Sequence, residues 1–258
     1  MQIWQAIVLG AVQGFCEFLP ISSSGHLILV QRILGITSNN LFYSVTFHFG
    51  TLIPVLIVLK SQILQVVKKP NPNLIRLIIA TIPAGIVGLT LSAVVDLDAI
   101  IMNNVWLLGV MFLLTAIELA VVKIVAKSNK KTLCDLNCKR SFIMGIGQAL
   151  AVMPGLSRSG TTIAFGSFCK LDREKNANFC FLMSIPIILS AIFLEGVKCI
   201  KAGDIGNIDF VPLIFGVITS AVTGYVAVKG MLRVIQNSSY TAFCIYLVLL
   251  GATTIIFG

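Results

Sequence analysis

Charge is what this chain of 258 residues has least of. Asp, Glu, Lys and Arg together make up 11% of it, against about 25% in a soluble domain. Only ten carboxylates and two histidines are present. Hydrophobic residues reach 57% and the mean hydropathy is +0.98. These values exclude a soluble globular domain and imply one integral membrane domain over residues 1–258. The net charge is +9, which in a soluble protein would suggest nucleic acid. In a membrane chain it reads as loop bias toward the cytoplasmic side, so no nucleic-acid partner is expected. Metal-type cysteine spacing is also missing. Cys134 and Cys138 lie four apart in a basic loop, and Cys16, Cys169, Cys180, Cys199 and Cys244 scatter in or near apolar runs. They are read as packing residues or unpaired thiols. The start lacks a basic n-region, and "MQIWQAIVLGAVQGF" runs straight into polar residues, so no cleavable signal peptide is expected.

What is there is apolar length. Six runs, 41–59, 74–94, 105–126, 178–197, 210–228 and 240–257, predict six spans of roughly 20 residues each. Two further apolar segments, 3–34 and 142–168, carry Pro, Gly and several Ser or Thr in their middles. Each is too interrupted for one straight helix and too apolar for a wet loop. The expectation is a re-entrant helix–turn–helix, because non-helical backbone at that depth must be surrounded by protein or line a wet cavity. Lys and Arg set the orientation. Under six spans, fifteen of them fall on one side, and Arg32, Lys198 and Lys201 fall on the other. The positive-inside rule then puts both termini and the 96–98 loop outside, and a basic loop, 127–140, in the cytoplasm.

The halves 1–126 and 141–258 resemble each other. Gly10, Gln13, Pro20, Ser22, Ser24 and Gly25 match Gly145, Gln148, Pro154, Ser157, Ser159 and Gly160, with twelve residues from Gln to Gly in both. "FHFGTLIP" likewise matches "FCFLMSIP". Each half holds one broken segment and three spans. Three is odd, so the second half is inverted, an arrangement that brings irregular segments together near the midplane. The fold class expected is therefore an all-α polytopic membrane protein. It has six transmembrane helices plus two re-entrant segments in an inverted repeat.

The chemistry gathers in the two breaks. In "CEFLPISSSGH", Gln13 and Glu17 share one helix face, and a carboxylate at membrane depth is by default functional. Pro20 and Gly25 open the helix around Ser22, Ser23 and Ser24, and His26 follows. "PGLSRSGTT" supplies the hydroxyls of Ser157, Ser159, Thr161 and Thr162, glycine amides and Arg158. A Gly- and Ser-rich turn opening a helix suits an anion, and the Arg fork suits phosphate. A carboxylate, a hydroxyl nucleophile, a histidine and a phosphate clamp are the parts of phosphoryl transfer. Glu17 would orient His26, act as base, or bind a divalent cation with Gln13 and the phosphates. Arg158 is read as functional. His48, Glu118 and Glu195 are read as structural, Glu118 through a polar neighbour across helices.

These motifs resemble the two signatures of the undecaprenyl-diphosphate phosphatases, the bacitracin-resistance protein family. Gln13 and Glu17 form the acidic element; Pro20, Ser22, Ser23, Gly25 and His26 form the next; Pro154 to Thr162 form the last. Length and span count agree along the whole chain. The resemblance implies removal of one phosphate from a polyprenyl diphosphate, giving the monophosphate carrier for cell-wall synthesis and resistance to bacitracin. It implies a multi-pass protein of the bacterial inner membrane with a site opening to the outer face. Dependence on a divalent cation, Mg2+ or Ca2+, is also implied. Ser23 would be the nucleophile, and His26 the rival nucleophile or acid/base. Glu17 would take the base, water or metal role. Ser157, Arg158 and Thr162 would hold the diphosphate, with Ser22 and Gln13 beside them. The family often has Glu where this chain has Gln13, which leaves the base role to Glu17 alone. A homodimer is left open. Two rivals remain: a lipid-phosphate transporter, which would need the clamp but no nucleophile, and an ion channel, for which the turns carry too few charges.

Overall fold

The computed structural model describes residues 1–36, 41–67, 71–95, 97–128, 134–202, 210–237 and 240–258. Asp96 of the loop read as outer, Lys68 and Lys69, and 129–133 of the basic loop lie outside the described residues, as do the side chains of Asp98, Lys127, Glu195 and Cys199. The described chain is helical: α1 (Ile3–Phe18), α2 (Ser23–Ile33), α3 (Leu41–Val58), α4 (Lys60–Val67), α5 (Pro72–Val94), α6 (Leu97–Asn103), α7 (Trp106–Ser128), α8 (Cys138–Leu150), α9 (Arg158–Phe168), α10 (Arg173–Ala202), α11 (Phe210–Asn237) and α12 (Thr241–Phe257). The β-structure found among the described residues is an isolated bridge between Cys134 and Leu171.

Helices stand where the six apolar runs predict them, but not all have the expected span length. Among the described residues four helices, α5, α7, α10 and α11, are long and apolar enough to cross a membrane. A fifth span forms if α3 and α4 count as one, although they meet at a bend of 80°. α12 has 17 residues, which at 1.5 Å per residue is about 26 Å, short of a hydrocarbon core of about 30 Å. The chain is a multi-pass membrane protein. Its outer surface is apolar: on α5, Ile75, Ile78, Ile82 and Ile86 are each about half exposed or more, while Gln13, Glu17, Thr115, Gln148, Ser157 and Thr161 are buried. Lipid, not water, suits such a surface.

Helix packing crosses between the halves. α1 packs on α11 and α8 on α5; α3 meets both α10 and α11; α7 packs on α12. Two glycines of the repeat explain the closest approaches. A Cβ on Gly10 would lie 2.3 Å from the Gly216 carbonyl oxygen of α11, and one on Gly145 would lie 2.5 Å from the Ala80 carbonyl oxygen of α5. Small residues let membrane helices approach this closely.

Both broken segments are two helices joined by a turn. α1 ends because Leu19 precedes a proline and takes extended backbone, φ −74° and ψ 147°, as the Pro ring demands of its predecessor. Ser22 then has φ 72°, a conformation rare for a residue with a side chain and one that clusters at functional sites. In the second turn Gly155 takes the positive φ, 94°. The caps are alike: the Ser22 hydroxyl accepts from the Gly25 amide at 3.4 Å, and the Ser157 hydroxyl from the Gly160 amide at 3.1 Å. Serine is a favoured N-cap for this reason.

Candidate active site

The two turns meet face to face. The Ser159 hydroxyl donates to the Leu19 carbonyl at 2.9 Å. A Cβ on Gly25 would lie 3.2 Å from the Gly155 Cα, and one on Gly160 would lie 3.3 Å from the Pro20 Cβ. Side chains there would crowd the contact between the two turns.

Glu17 stands at the junction. Its Oε2 accepts from the Ser23 hydroxyl at 2.7 Å and from the Gln13 amide at 2.9 Å. Its Oε1 accepts from the Arg158 guanidinium, which also forms a salt bridge with it. His48 Nε2 lies 3.9 Å from Oε2. Residues from α1, α2, α3 and α9 thus converge on one buried carboxylate. The sequence reading placed His48 in the core; the structure places it beside Glu17. Its setting in "FHFG", flanked by phenylalanines in an apolar run, hid this, and its place in a repeated motif was the available signal.

A cavity of about 1120 Å³ opens over this junction. It brings together Glu17, Ser22, Ser23, Ser157 and Arg158 from the expected site, with His48 and Gln148. Gln13, His26 and Thr162 do not line it. Thr162 turns back to the carbonyls of Arg158 and Ser159 at 2.8 and 3.2 Å. His26 is occupied on both nitrogens: Nδ1 bonds the Ser22 carbonyl at 2.7 Å, and Nε2 bonds the Tyr246 hydroxyl at 2.6 Å. Its ring stacks on Tyr246 and meets Phe112 edge-on. The group within reach of the Ser23 hydroxyl is therefore Glu17. Tyr246, which ties His26 to α12, was missed; nothing in the apolar run 240–257 marks it.

The repeat aligns these contacts. His26 corresponds to Thr161, whose hydroxyl donates to Glu118 on α7 at 2.7 Å. So α2 is tied to α12 through His26 and Tyr246, as α9 is tied to α7 through Thr161 and Glu118. Glu118 has the cross-helix partner expected of it. Ser23 corresponds to Arg158, so the first turn presents a hydroxyl where the second presents a cation.

Beyond the polar end, the cavity runs between α5 and α10 over Ala84, Gly85, Gly88, Ile188, Ala191 and Phe193. It reaches Val95, Leu97 and Lys198. A Cβ on Gly85 or Gly88 would meet nothing within 4 Å. One end can thus hold an anion and the other a hydrocarbon.

For a metal, the donors are few. No group of three or more His, Cys, Asp or Glu able to hold an ion exists among the described residues. The Gln13 Oε1, next to Glu17, is buried and has no hydrogen-bond partner among the described residues. One carboxylate and one amide oxygen fit a hard cation whose other ligands are phosphates and waters; they do not form a closed protein cage.

The family model for the bacitracin resistance protein BacA matches residues 6–253. The chain belongs to this family. It is 38% identical over 258 residues to a protein of Carboxydothermus hydrogenoformans named undecaprenyl-diphosphatase, covering 99% of this chain and 97% of the relative. Proteins of the same name from Halothermothrix orenii and Bacteroides fragilis are 34% and 36% identical, each over 99% of this chain and 98% of the relative.

Proposed function

We propose that this chain hydrolyses undecaprenyl diphosphate to undecaprenyl phosphate and inorganic phosphate, recycling the carrier lipid of cell-wall synthesis and conferring bacitracin resistance. The observation that carries the reading is the contact of the Ser23 hydroxyl with Glu17, in a cavity that also holds Arg158 and an apolar arm. The relatives' shared name supports the same substrate.

In this reading the diphosphate enters the polar end, and Arg158 transfers its fork from Glu17 to the phosphate oxygens, a bidentate match. Glu17 keeps the Ser23 hydroxyl. Ser23 Oγ attacks the terminal phosphorus, its proton passes to Glu17 Oε2, and the bond from phosphorus to the bridging oxygen breaks. The lipid leaves as the monophosphate. Water then attacks the phosphorus of the phosphoserine, the bond from phosphorus to Ser23 Oγ breaks as Glu17 returns its proton to Oγ, and inorganic phosphate leaves carrying the oxygen and protons of the water. The caps at Ser22 and Ser157 fix two helix N-termini toward the charge. His26 holds the start of α2 against α12 and so positions Ser23. A divalent cation, Mg2+ or Ca2+, held by Glu17 and the Gln13 carbonyl, would neutralise charge on the phosphates when bound.

The polyprenyl tail occupies the arm between α5 and α10. That arm reaches the ends of α5 and α10 that the positive-inside rule assigns to the outer face, so the site opens outward from the inner membrane. The reciprocal packing of α1 on α11 and α8 on α5 supports an inverted repeat. Within it, α1–α2 and α8–α9 are the re-entrant segments and the other long helices are the six spans, with the bilayer locally thinned around the short α3 and α12. The test is phosphate release from undecaprenyl diphosphate by the purified chain, with and without chelator, beside Arg158→Lys. Chelator-sensitive release that collapses in the lysine variant is expected, because a point charge does not replace a fork. Wild-type turnover in Arg158→Lys would contradict the clamp.

A further inference from the structure

Gln148, on α8, has no role in the chemistry above, yet its position is unusual. It is 2% exposed, and both its Nε2 and its Oε1 lack a hydrogen-bond partner among the described residues. It lines the same cavity as Glu17, Ser23 and Arg158. A buried polar atom left unpaired forfeits its hydration without replacement, so an amide with both ends bare is expensive unless something arrives to meet it.

The internal repeat explains why it is bare. Gln148 is the counterpart of Gln13, whose Nε2 donates to Glu17 four residues on. Four residues on from Gln148 the chain has Val152, which also lines the cavity. The second half has the amide without the carboxylate. In the first half a fixed anion accepts from the amide N–H; in the second that place is open to the cavity.

We propose that Gln148 is a further substrate-binding residue, whose Nε2 donates to a non-bridging oxygen of the diphosphate head group. Its Oε1 accepts from water ordered around that head group. The substrate oxygen stands where the missing carboxylate would be. This rests on the diphosphate reading of the site.

The test measures binding of inorganic pyrophosphate to the purified full-length chain by thermal stabilisation and titration calorimetry, for wild type, Gln148→Met and Gln148→Glu. Methionine keeps the shape and removes both polar atoms. A hydrogen bond to a charged group is worth about a tenfold to hundredfold change in affinity. The expected result is a loss of that size in Gln148→Met, with the ligand-free melting temperature unchanged or raised. Gln148→Glu, which sets a carboxylate against phosphate, weakens binding further. Pyrophosphate affinity within twofold of wild type in both variants, with a lowered melting temperature in Gln148→Met, would mean a water-bridged structural amide and overturn the proposal. Phosphate release from farnesyl diphosphate, run alongside, separates the two claims. Wild-type hydrolysis with unchanged affinity in the variants rejects Gln148 alone. No hydrolysis and no pyrophosphate binding by wild type rejects both.

Discussion

Arg158, the first residue of α9, donates to Oε1 of Glu17, the penultimate residue of α1, across 141 positions of sequence. The carboxylate side chain is 4% exposed and the guanidinium 18%. Each charge balances the other in a site that lipid surrounds, and each comes from a different half of the chain. The contact therefore closes the two broken segments on one another.

Removing one partner should leave the other buried and unpaired, at a cost of about 3–5 kcal/mol, toward the lower end for a partly exposed Arg. Glu17→Gln and Arg158→Gln should each lower the melting temperature, and the double variant should lose much less than their sum. Strict additivity in the double-mutant cycle would show that the contact does not hold the halves together.

Tyr246→Phe takes away one partner of His26 Nε2 and leaves the ring stack in place. If His26 positions Ser23, turnover should stay within roughly tenfold of wild type, the scale of one hydrogen bond. A collapse by roughly a thousandfold would mean that Nε2 itself moves a proton in the reaction. Steady-state kinetics on undecaprenyl diphosphate reads this directly.

Gly88→Leu places a side chain in open space in the arm between α5 and α10. The helix should tolerate it, because leucine is a better helix former than glycine. Crowding the arm should raise KM for undecaprenyl diphosphate by roughly an order of magnitude and leave farnesyl diphosphate little affected. Equal effects on both substrates would place the long tail elsewhere.

Orientation has its own test. Cys138 is an exposed free thiol at the start of α8, in the loop read as cytoplasmic. In a chain retaining Cys138 alone, an impermeant maleimide should label inside-out vesicles and spare intact spheroplasts. Labelling of intact spheroplasts would invert the topology.

Much of the site was legible because membrane sequence makes polarity conspicuous. Glu17, Ser22 to Ser24 and Arg158 stand out in apolar segments, and Pro20 and the glycines mark where the helix must break. The repeat was legible as matched spacing, and Gly10 and Gly145 prove to be paired close approaches between helices. What stayed hidden depends on distant partners. Tyr246 meets His26 across 220 positions, and His48 looks like any residue of an apolar run until α3 is placed beside α1. Thr162 matched a motif, but its hydroxyl has a carbonyl of its own helix within reach, and that local bond decides where it points. Span length was the other limit. The 80° bend after α3 and the shortness of α12 leave no mark in apolar content, since the run 41–59 is as hydrophobic as a straight span.

The central claim is that the hydroxyl held by Glu17 performs the chemistry. The most direct measurement is inorganic phosphate release from undecaprenyl diphosphate by purified wild type and by Ser23→Ala, each shown to be folded by its melting transition. The account predicts turnover in wild type and a loss of at least roughly a thousandfold in Ser23→Ala, the scale of removing a nucleophile. Ser23→Ala that turns over like wild type would contradict it. No release by folded wild type would point instead to a protein that binds lipid phosphates and moves them.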